Sequence, residues 1–472
     1  MRSSDRDAAP VQKSKRTSPS QGSGIRSTGN RPGAAISSGL SNKGVAHVDT
    51  PPSAFTQLQH FAGFDWATDK HDLAVVDRDG KIVLQFQFQD SAEGWAQLTD
   101  KLRPLGKIGV AIETSRGPAV ERLLAMGVSV FPMNPKAAER FRDRKAPSGI
   151  KDDQLDAWSF ADALRSDGQA WRPLLPDDPQ TQLLRMLCRD EIGLIEQRTA
   201  LILQLRQALR EYYPAALEAF DDLAMPGVWE FVLQFPTPVE LIKAGQRKWQ
   251  KFMHAHKLYR TEVTEKRMEI FARADRLVSP SQSVTIAKSL LAVTIAKQLR
   301  TLQAQITEYR ARIEKLFNDH PDSDIFRSLP GSGKKLGPRL LGEMGANRQV
   351  FDSAQALQCY AGTAPLTRQS GRTCFATIRL MCNKVLRATV HLWADQSRSD
   401  CVWAEAYYQQ KRESGKSHAQ SLRCLGQRWL KILWRMWMEH RPYDEARHMK
   451  NMVKHGSWVL GHLPNLQPAA AL

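Results

Sequence analysis

Asp153 and Asp156 are three residues apart in the stretch Lys151-Asp-Asp-Gln-Leu-Asp-Ala-Trp-Ser-Phe-Ala-Asp-Ala-Leu-Arg165. That stretch reads as the opening turns of a helix, which sets both carboxylates on one face while Leu155, Phe160 and Leu164 point elsewhere. Two anions near a helix N-terminus suit its dipole, yet they repel each other unless a cation lies between them. Hard oxygen ligands of this kind favour Mg2+, with Mn2+ as the near substitute. Taken alone, capping of the helix is the plainer reading of the same acids. Asp65 lies inside the apolar run Phe61-Ala-Gly-Phe-Asp65-Trp66, where a carboxylate is costly to bury without a partner. Glu113 closes a second such run, Ile108-Gly-Val-Ala-Ile-Glu113, as a further ligand or as a strand-end residue facing water.

The surrounding elements decide whether these acids meet. Phe61–Trp66, Asp72–Val76 and Lys81–Phe88 read as strands, and the Asp77-Arg-Asp-Gly80 turn between the last two is a hairpin signal. A helix follows over Ser91–Leu102, then a buried strand over Ile108–Glu113, a helix from about Pro118 to Met126 and a strand over Val128–Phe131. A basic loop around Arg140–Lys145 leads into the acidic helix. This order predicts a mixed sheet with helices on its faces, as in RNase H-like nuclease folds, and there Asp65, Glu113, Asp153 and Asp156 converge.

The chain has 472 residues, enough for two or three domains, and a formal net charge of +18 with a pI near 9.7, which suits a polyanionic partner. Membrane is the competing polyanion, but there is neither an apolar run of roughly eighteen residues nor a secretory signal. Cys188, Cys359, Cys374, Cys382, Cys401 and Cys424 form neither CxxC pairs nor a framework spacing, which points to reduced thiols in a cytosol. Residues 1–52 are rich in Ser, Gly, Arg and Pro, carry eight Lys or Arg against three Asp, and read as a disordered basic tail. A transit peptide is the weaker reading of that tail.

After the Pro-rich break at Trp171–Pro179, residues 180–320 read as helical, with long candidates over Gln180–Tyr213 and about Ala287–Phe317 flanking a broken region. Such helices serve as an arm for self-association or nucleic acid, or form a plain bundle. Ser328-Leu-Pro-Gly-Ser-Gly-Lys-Lys-Leu-Gly-Pro-Arg-Leu-Leu341 lacks the spacing of a phosphate loop. A helix-hairpin-helix turn fits better: the glycines Gly331 and Gly333 expose backbone N–H groups, with Lys334, Lys335 and Arg339 adding charge for a DNA backbone. A purely structural turn is the alternative. Farther on, Ser370 lies in a loop-like stretch, Cys359–Arg372, between Arg368 and Arg372. A serine so placed is either a nucleophile with guanidinium groups to neutralise phosphate, or a simple turn residue. The final helices, about Ile378–Arg398 and Ser417–Met438, carry Trp393, Trp403, Trp429, Trp434 and Trp437, which at helical spacing are core before they are a stacking surface.

Together these stretches resemble the DEDD transposases of the insertion-sequence 110 family, which include relatives of the pilin-gene invertase. The resemblance runs from Phe61 to about Tyr443 and rests on Gly63-Phe-Asp65, Ile112-Glu113-Thr114, Lys151-Asp-Asp153-Gln-Leu-Asp156-Ala157, Leu329-Pro-Gly-Ser-Gly333, and Ala361-Gly-Thr-Ala-Pro365 followed by Arg368-Gln-Ser370-Gly371. It implies a RuvC-like domain whose acids Asp65, Glu113, Asp153 and Asp156 hold Mg2+, a coiled-coil insertion, and a C-terminal transposase domain whose Ser370 attacks DNA to give a phosphoserine intermediate. It further implies guidance by a structured RNA. The tail and the doubled Asp152-Asp153 depart from the family pattern, and Asp152 shares the Asp156 face as well as Asp153 does.

The expected organisation is a tail (1–52), a RuvC-like domain (58–170), a helical region (178–320), a transposase domain (325–445) and a second tail (446–472). The expected function is that of an RNA-guided, Mg2+-dependent serine transposase. It would act on donor and target DNA as a dimer or tetramer, off the membrane, in a prokaryotic cytoplasm at the nucleoid. The rivals are a RuvC-like nuclease using metal-activated water and a non-catalytic nucleic-acid-binding protein.

Overall fold

Every residue of Ile108–Ile112 is buried, and so continuous an apolar run belongs in the middle of a sheet covered on both faces. In the computed structural model, which describes residues 54–145, 152–276, 281–371 and 373–463, it is β4 of a five-stranded sheet. The others are β1 (His60–Trp66), β2 (Lys70–Val76), β3 (Ile82–Gln89) and β5 (Ser129–Pro132), in the order β3-β2-β1-β4-β5. β1 pairs antiparallel with β2 and β2 with β3, whereas β4 is parallel to both β1 and β5. Asp77 closes the β2–β3 turn by accepting from the N–H groups of Asp79 and Lys81, and Gly80 takes a φ of 87°. The expected tail over 1–52 lies outside the described residues.

The helices of this layer are α1 (Ala92–Leu102), capped by Ser91, α2 (Pro118–Ala125), α3 (Pro135–Lys145) and α4 (Asp153–Asp167). α3 replaces the basic loop expected at Arg140–Lys145. Its sequence, PKAAERFRDRK, is too polar to show an apolar stripe, which is why composition alone suggested a loop. α4 lies directly across β1. A Cβ on Gly63 would stand 1.9 Å from the carbonyl oxygen of Ala157 and 2.7 Å from Cβ of Phe160, so only glycine permits this approach. Ala157, Phe160, Ala161 and Leu164 are fully buried at the contact, while Ala62 and Phe64 point into the core on the other side of the sheet.

α5 (Pro179–Tyr212) and α10 (Gln282–Asn318) form a long antiparallel pair, held at separate points by Arg310 on Glu191 and Lys288 on Glu211. Between them come α6 (Pro214–Ala219), α7 (Pro226–Gln234), α8 (Pro238–Ala255), broken where Gly245 takes a φ of 72°, and α9 (Thr261–Ala272). Tyr213, Phe220, Trp229 and Phe231 centre a core of their own there.

The rest is helical apart from one hairpin: α11 (Ser323–Arg327), α12 (Gly333–Met344), α13 (Ala354–Tyr360), β6 (Leu366–Ser370), β7 (Thr373–Thr377), α14 (Lys384–Asp400), α15 (Val402–Glu413), α16 (His418–Met438) and α17 (Glu445–Lys454). Trp393, Trp403, Trp429 and Trp437 are fully buried and Trp434 packs against the same core, so these rings are not a stacking surface. The segment from 446, expected as a tail, instead carries most of α17 and buries Met452 and Val459 in that core. Among the described residues no helix is long and apolar enough to cross a membrane.

Candidate metal centre and serine hairpin

Side chains two apart on a strand share a face, so Asp65 points to the side that Gly63 leaves open to α4. The first turn of α4 meets it there: one carboxylate oxygen each from Asp65, Asp153 and Asp156 lie within 4.8 Å of one another. Asp156 is buried, Asp65 half-buried and Asp153 exposed. Asp152 does different work. Its side chain accepts from the Gln154 N–H at 3.2 Å and caps α4, which separates the doubled acids into a cap and a member of the cluster. Glu113, one residue beyond β4, is not among these three acids; its Oε2 lies 3.8 Å from Nη1 of Arg142.

The cluster is short of positive charge. Burial, then Asp156, Asp153, Glu113 and Asp72, raise the Asp65 carboxyl from its ordinary 3.8 to about 7. Asp72 is the residue paired with Asp65 across β1 and β2, and Gln87 donates to both of its oxygens at 3.2 and 3.1 Å. An all-oxygen donor set with unbalanced negative charge fits a hard divalent cation and poorly fits a soft one.

Arg142, on α3, is the residue that sequence reasoning missed. Its Nη1 donates to Asp156 Oδ2 at 2.9 Å, and its guanidinium carbon is 5.9 Å from the centre of the Phe160 ring. Burial opposes its charge, but the hydrogen bond to Asp156 and the fields of Asp156, Glu113 and Asp65 outweigh that and raise its pKa. Only a helical α3 would have revealed the pairing, and the polar sequence gave no sign of it.

Among the described residues no hydrogen bond or ion pair joins Ser370 to the acids. It ends β6, where a loop was expected, opposite Thr373 in a hairpin turned at Gly371, whose φ is 54°. The signal for this hairpin was the pair of runs Leu-Thr-Arg-Gln-Ser and Thr-Cys-Phe-Ala-Thr about a two-residue Gly-containing turn. Both strands are almost wholly exposed, and alternation sets Leu366, Arg368 and Ser370 on one face with Thr373, Phe375 and Thr377. Arg372 lies outside the described residues. At the hairpin's neck the Asn383 N–H donates to the Tyr360 carbonyl at 2.8 Å, and its side chain reaches Glu343, itself gripped by Arg189 at 2.6 and 2.8 Å.

The Leu329–Gly333 turn lies between α11 and α12, and two of the DNA contacts expected around it are engaged elsewhere. The Gly331 N–H donates to Asp400 at 3.0 Å, and a Cβ there would be 2.5 Å from the Ser397 nitrogen, so the turn is seated on α14. Arg339 is buried and pairs with Glu191 at 2.8 Å, because α12 turns it inward against α5. Gly333, Lys334 and Lys335 remain exposed, with Lys334 2.7 Å from Glu314.

Residues 62–214 match a family model described as a transposase, and residues 323–409 match one described as the transposase IS116/IS110/IS902 family. The chain is 36% identical over 402 residues to the "Mini-circle putative transposase for IS117" of Streptomyces coelicolor, covering 83% of this chain and 96% of that one. It is 26% identical over 394 residues to an uncharacterized 42 kDa protein of insertion element IS900 from Mycobacterium paratuberculosis, covering 82% and 97%. A pilin gene-inverting protein of Moraxella bovis is 27% identical over 157 residues, covering 32% and 48%.

Proposed function

Because this chain belongs to the IS116/IS110/IS902 family of insertion-sequence transposases, and is therefore a DNA transposase, we propose that it cuts and rejoins DNA with Asp65, Glu113, Asp153 and Asp156 holding Mg2+ and Ser370 as nucleophile. The meeting of Asp65, Asp153 and Asp156 carries the reading. A divalent ion bound there supplies Lewis-acid stabilisation of charge on a scissile phosphate and eases deprotonation of a hydroxyl. Half-buried Asp65 ties the ligand set to β1 and buried Asp156 ties it to α4, and exposed Asp153 leaves one side open to substrate.

Ser370 Oγ forms a phosphorus–oxygen bond while the bond to the leaving sugar oxygen breaks. The serine proton passes to solvent, the sugar oxygen takes one up, and the number of phosphate ester bonds is conserved, so rejoining needs no further energy source. Arg368, on the serine's face of the hairpin, neutralises phosphate charge, and Lys334 and Lys335 hold the backbone. The test is Ser370→Ala: the covalent protein–DNA adduct and strand exchange disappear. Retention of both would overturn the nucleophile. The acid cluster by itself supports a second reading, a nuclease using metal-activated water, in which Ser370→Ala cuts DNA normally.

The proposed partners are donor and target DNA, further copies of this chain in a dimer or tetramer, and a structured guide RNA. A net charge of +18 supports nucleic acid, and the absence of a recognisable helix-turn-helix in the sequence supports an RNA reader over a direct DNA reader. With Trp393, Trp403, Trp429 and Trp437 buried, such an RNA would be held mainly through exposed Lys and Arg. Sequencing RNA co-purified from native cells tests this, and sequence-specific recombination by RNA-free protein would sink it.

A further inference from the structure

Arg142 stands where a cation is needed. Its Nη1 is 2.9 Å from Asp156 Oδ2 and 3.8 Å from Glu113 Oε2, and Asp156 is only 2% exposed. One guanidinium thus bridges two of the four acids assigned above to the divalent ion. The bridge joins three separate elements, since Glu113 follows β4, Arg142 comes from α3 and Asp156 from α4.

A divalent ion held by the same carboxylates would be a close neighbour of that guanidinium, inside the ~8 Å screening length of physiological salt. A dication and a guanidinium so close repel strongly in a half-buried site, and both draw on the same carboxylates. We propose that Arg142 is the internal counter-ion of the acid site: it neutralises Asp156 and Glu113 until a divalent ion loads, and the ion displaces it. Arg142 is thereby a positioning residue. It keeps the like-charged acids together before the ion arrives and sets the ion's affinity by competing with it. The inference rests on the metal part of the proposed function and is independent of Ser370.

The experiment uses the full chain, freed of divalent ions and titrated calorimetrically with Mn2+. Losing the competing charge-assisted hydrogen bond in Arg142→Gln should tighten Mn2+ binding roughly tenfold, with Arg142→Lys, which keeps the charge, falling between. Equal or weaker binding by Arg142→Gln overturns the inference, because a guanidinium that merely braces the ligands would weaken binding when lost. Should Arg142→Gln fail to fold, the wild-type chain gives the answer through phenylglyoxal labelling read by peptide mapping. Adduct formation at residue 142 should rise on adding Mn2+, and an unchanged or lower yield overturns the displacement. Asp65→Asn separates the failures. If it leaves Mn2+ binding untouched, the metal site itself is wrong; if it abolishes binding while Arg142→Gln fails to tighten it, only the counter-ion assignment falls.

Discussion

Asp65 and Asp72 are direct partners in the antiparallel register of β1 and β2, so two carboxylates stand side by side on the sheet face that α4 covers. Gln87, in the next strand, ties up both oxygens of Asp72 and leaves Asp65 to face Asp153 and Asp156.

The pH dependence follows from that crowding. A carboxyl raised from 3.8 to about 7 keeps, in the fold, a proton that the unfolded chain releases. Between those values the folded state binds more protons, so the metal-free protein loses stability as pH rises and levels off above about 7. Melting in EDTA should show this slope, and Asp65→Asn should remove it. Because the same proton must leave when a divalent ion binds, Mn2+ affinity should climb up to about tenfold per pH unit below about 7. A flat titration profile would contradict the assignment.

The doubled acids give a discriminating pair. Asp152→Asn keeps a competent helix cap, since Asn and Asp cap equally well, and should recombine DNA at close to the wild-type rate. Asp153→Asn removes a member of the cluster and should abolish recombination while leaving DNA affinity within about threefold, because backbone binding depends on Lys and Arg. A dead Asp152→Asn with an active Asp153→Asn would reverse the roles.

Gly63 tests the packing beneath the site. Gly63→Ala places a methyl group against the Ala157 carbonyl oxygen and should destabilise the protein by about 1–3 kcal/mol as α4 is pushed outward. Metal affinity should fall with it, since Asp153 and Asp156 ride on α4 while Asp65 stays on β1. Equilibrium denaturation and Mn2+ titration on the same sample check both; unchanged values would mean that α4 lies farther from β1.

Two basic residues five apart should behave oppositely. Arg339→Ala leaves Glu191 with only Arg310 and should cost about 1.5–3 kcal/mol in stability, the range for a lost charge-assisted hydrogen bond. Lys334→Ala with Lys335→Ala should leave stability within about 0.5 kcal/mol and instead flatten the salt dependence of DNA binding. Melting curves and binding isotherms at several salt concentrations separate the two.

The contrast between Arg339 and Lys334 also marks where sequence reading stops. In the chain they belong to one basic stretch; what separates them is Glu191, on a helix that the local sequence does not mention. Arg142 was hidden for the same reason. The strands were legible because apolar runs such as Ile108–Ile112 are bounded by turn residues, and Asp65 stood out because acids are rare inside such runs. The serine hairpin's strands are exposed and carry no apolar alternation, so only the Gly-containing turn between them marks it in the sequence. Exposure erases the pattern on which strand recognition depends.

α5 begins in one hydrophobic core, with Leu184 and Cys188, and ends in another, with Leu205, Ala208 and Tyr212. With no break in its helix, it fixes the rotational phase of the second core relative to the first. One residue inserted midway would turn everything beyond it by about 100° and advance it by about 1.5 Å. Seven would restore the facing to within about 20°. The relation between the two cores is therefore written in helical turns, and matched insertions in α5 and its antiparallel partner α10 would show it as a periodic loss and return of function.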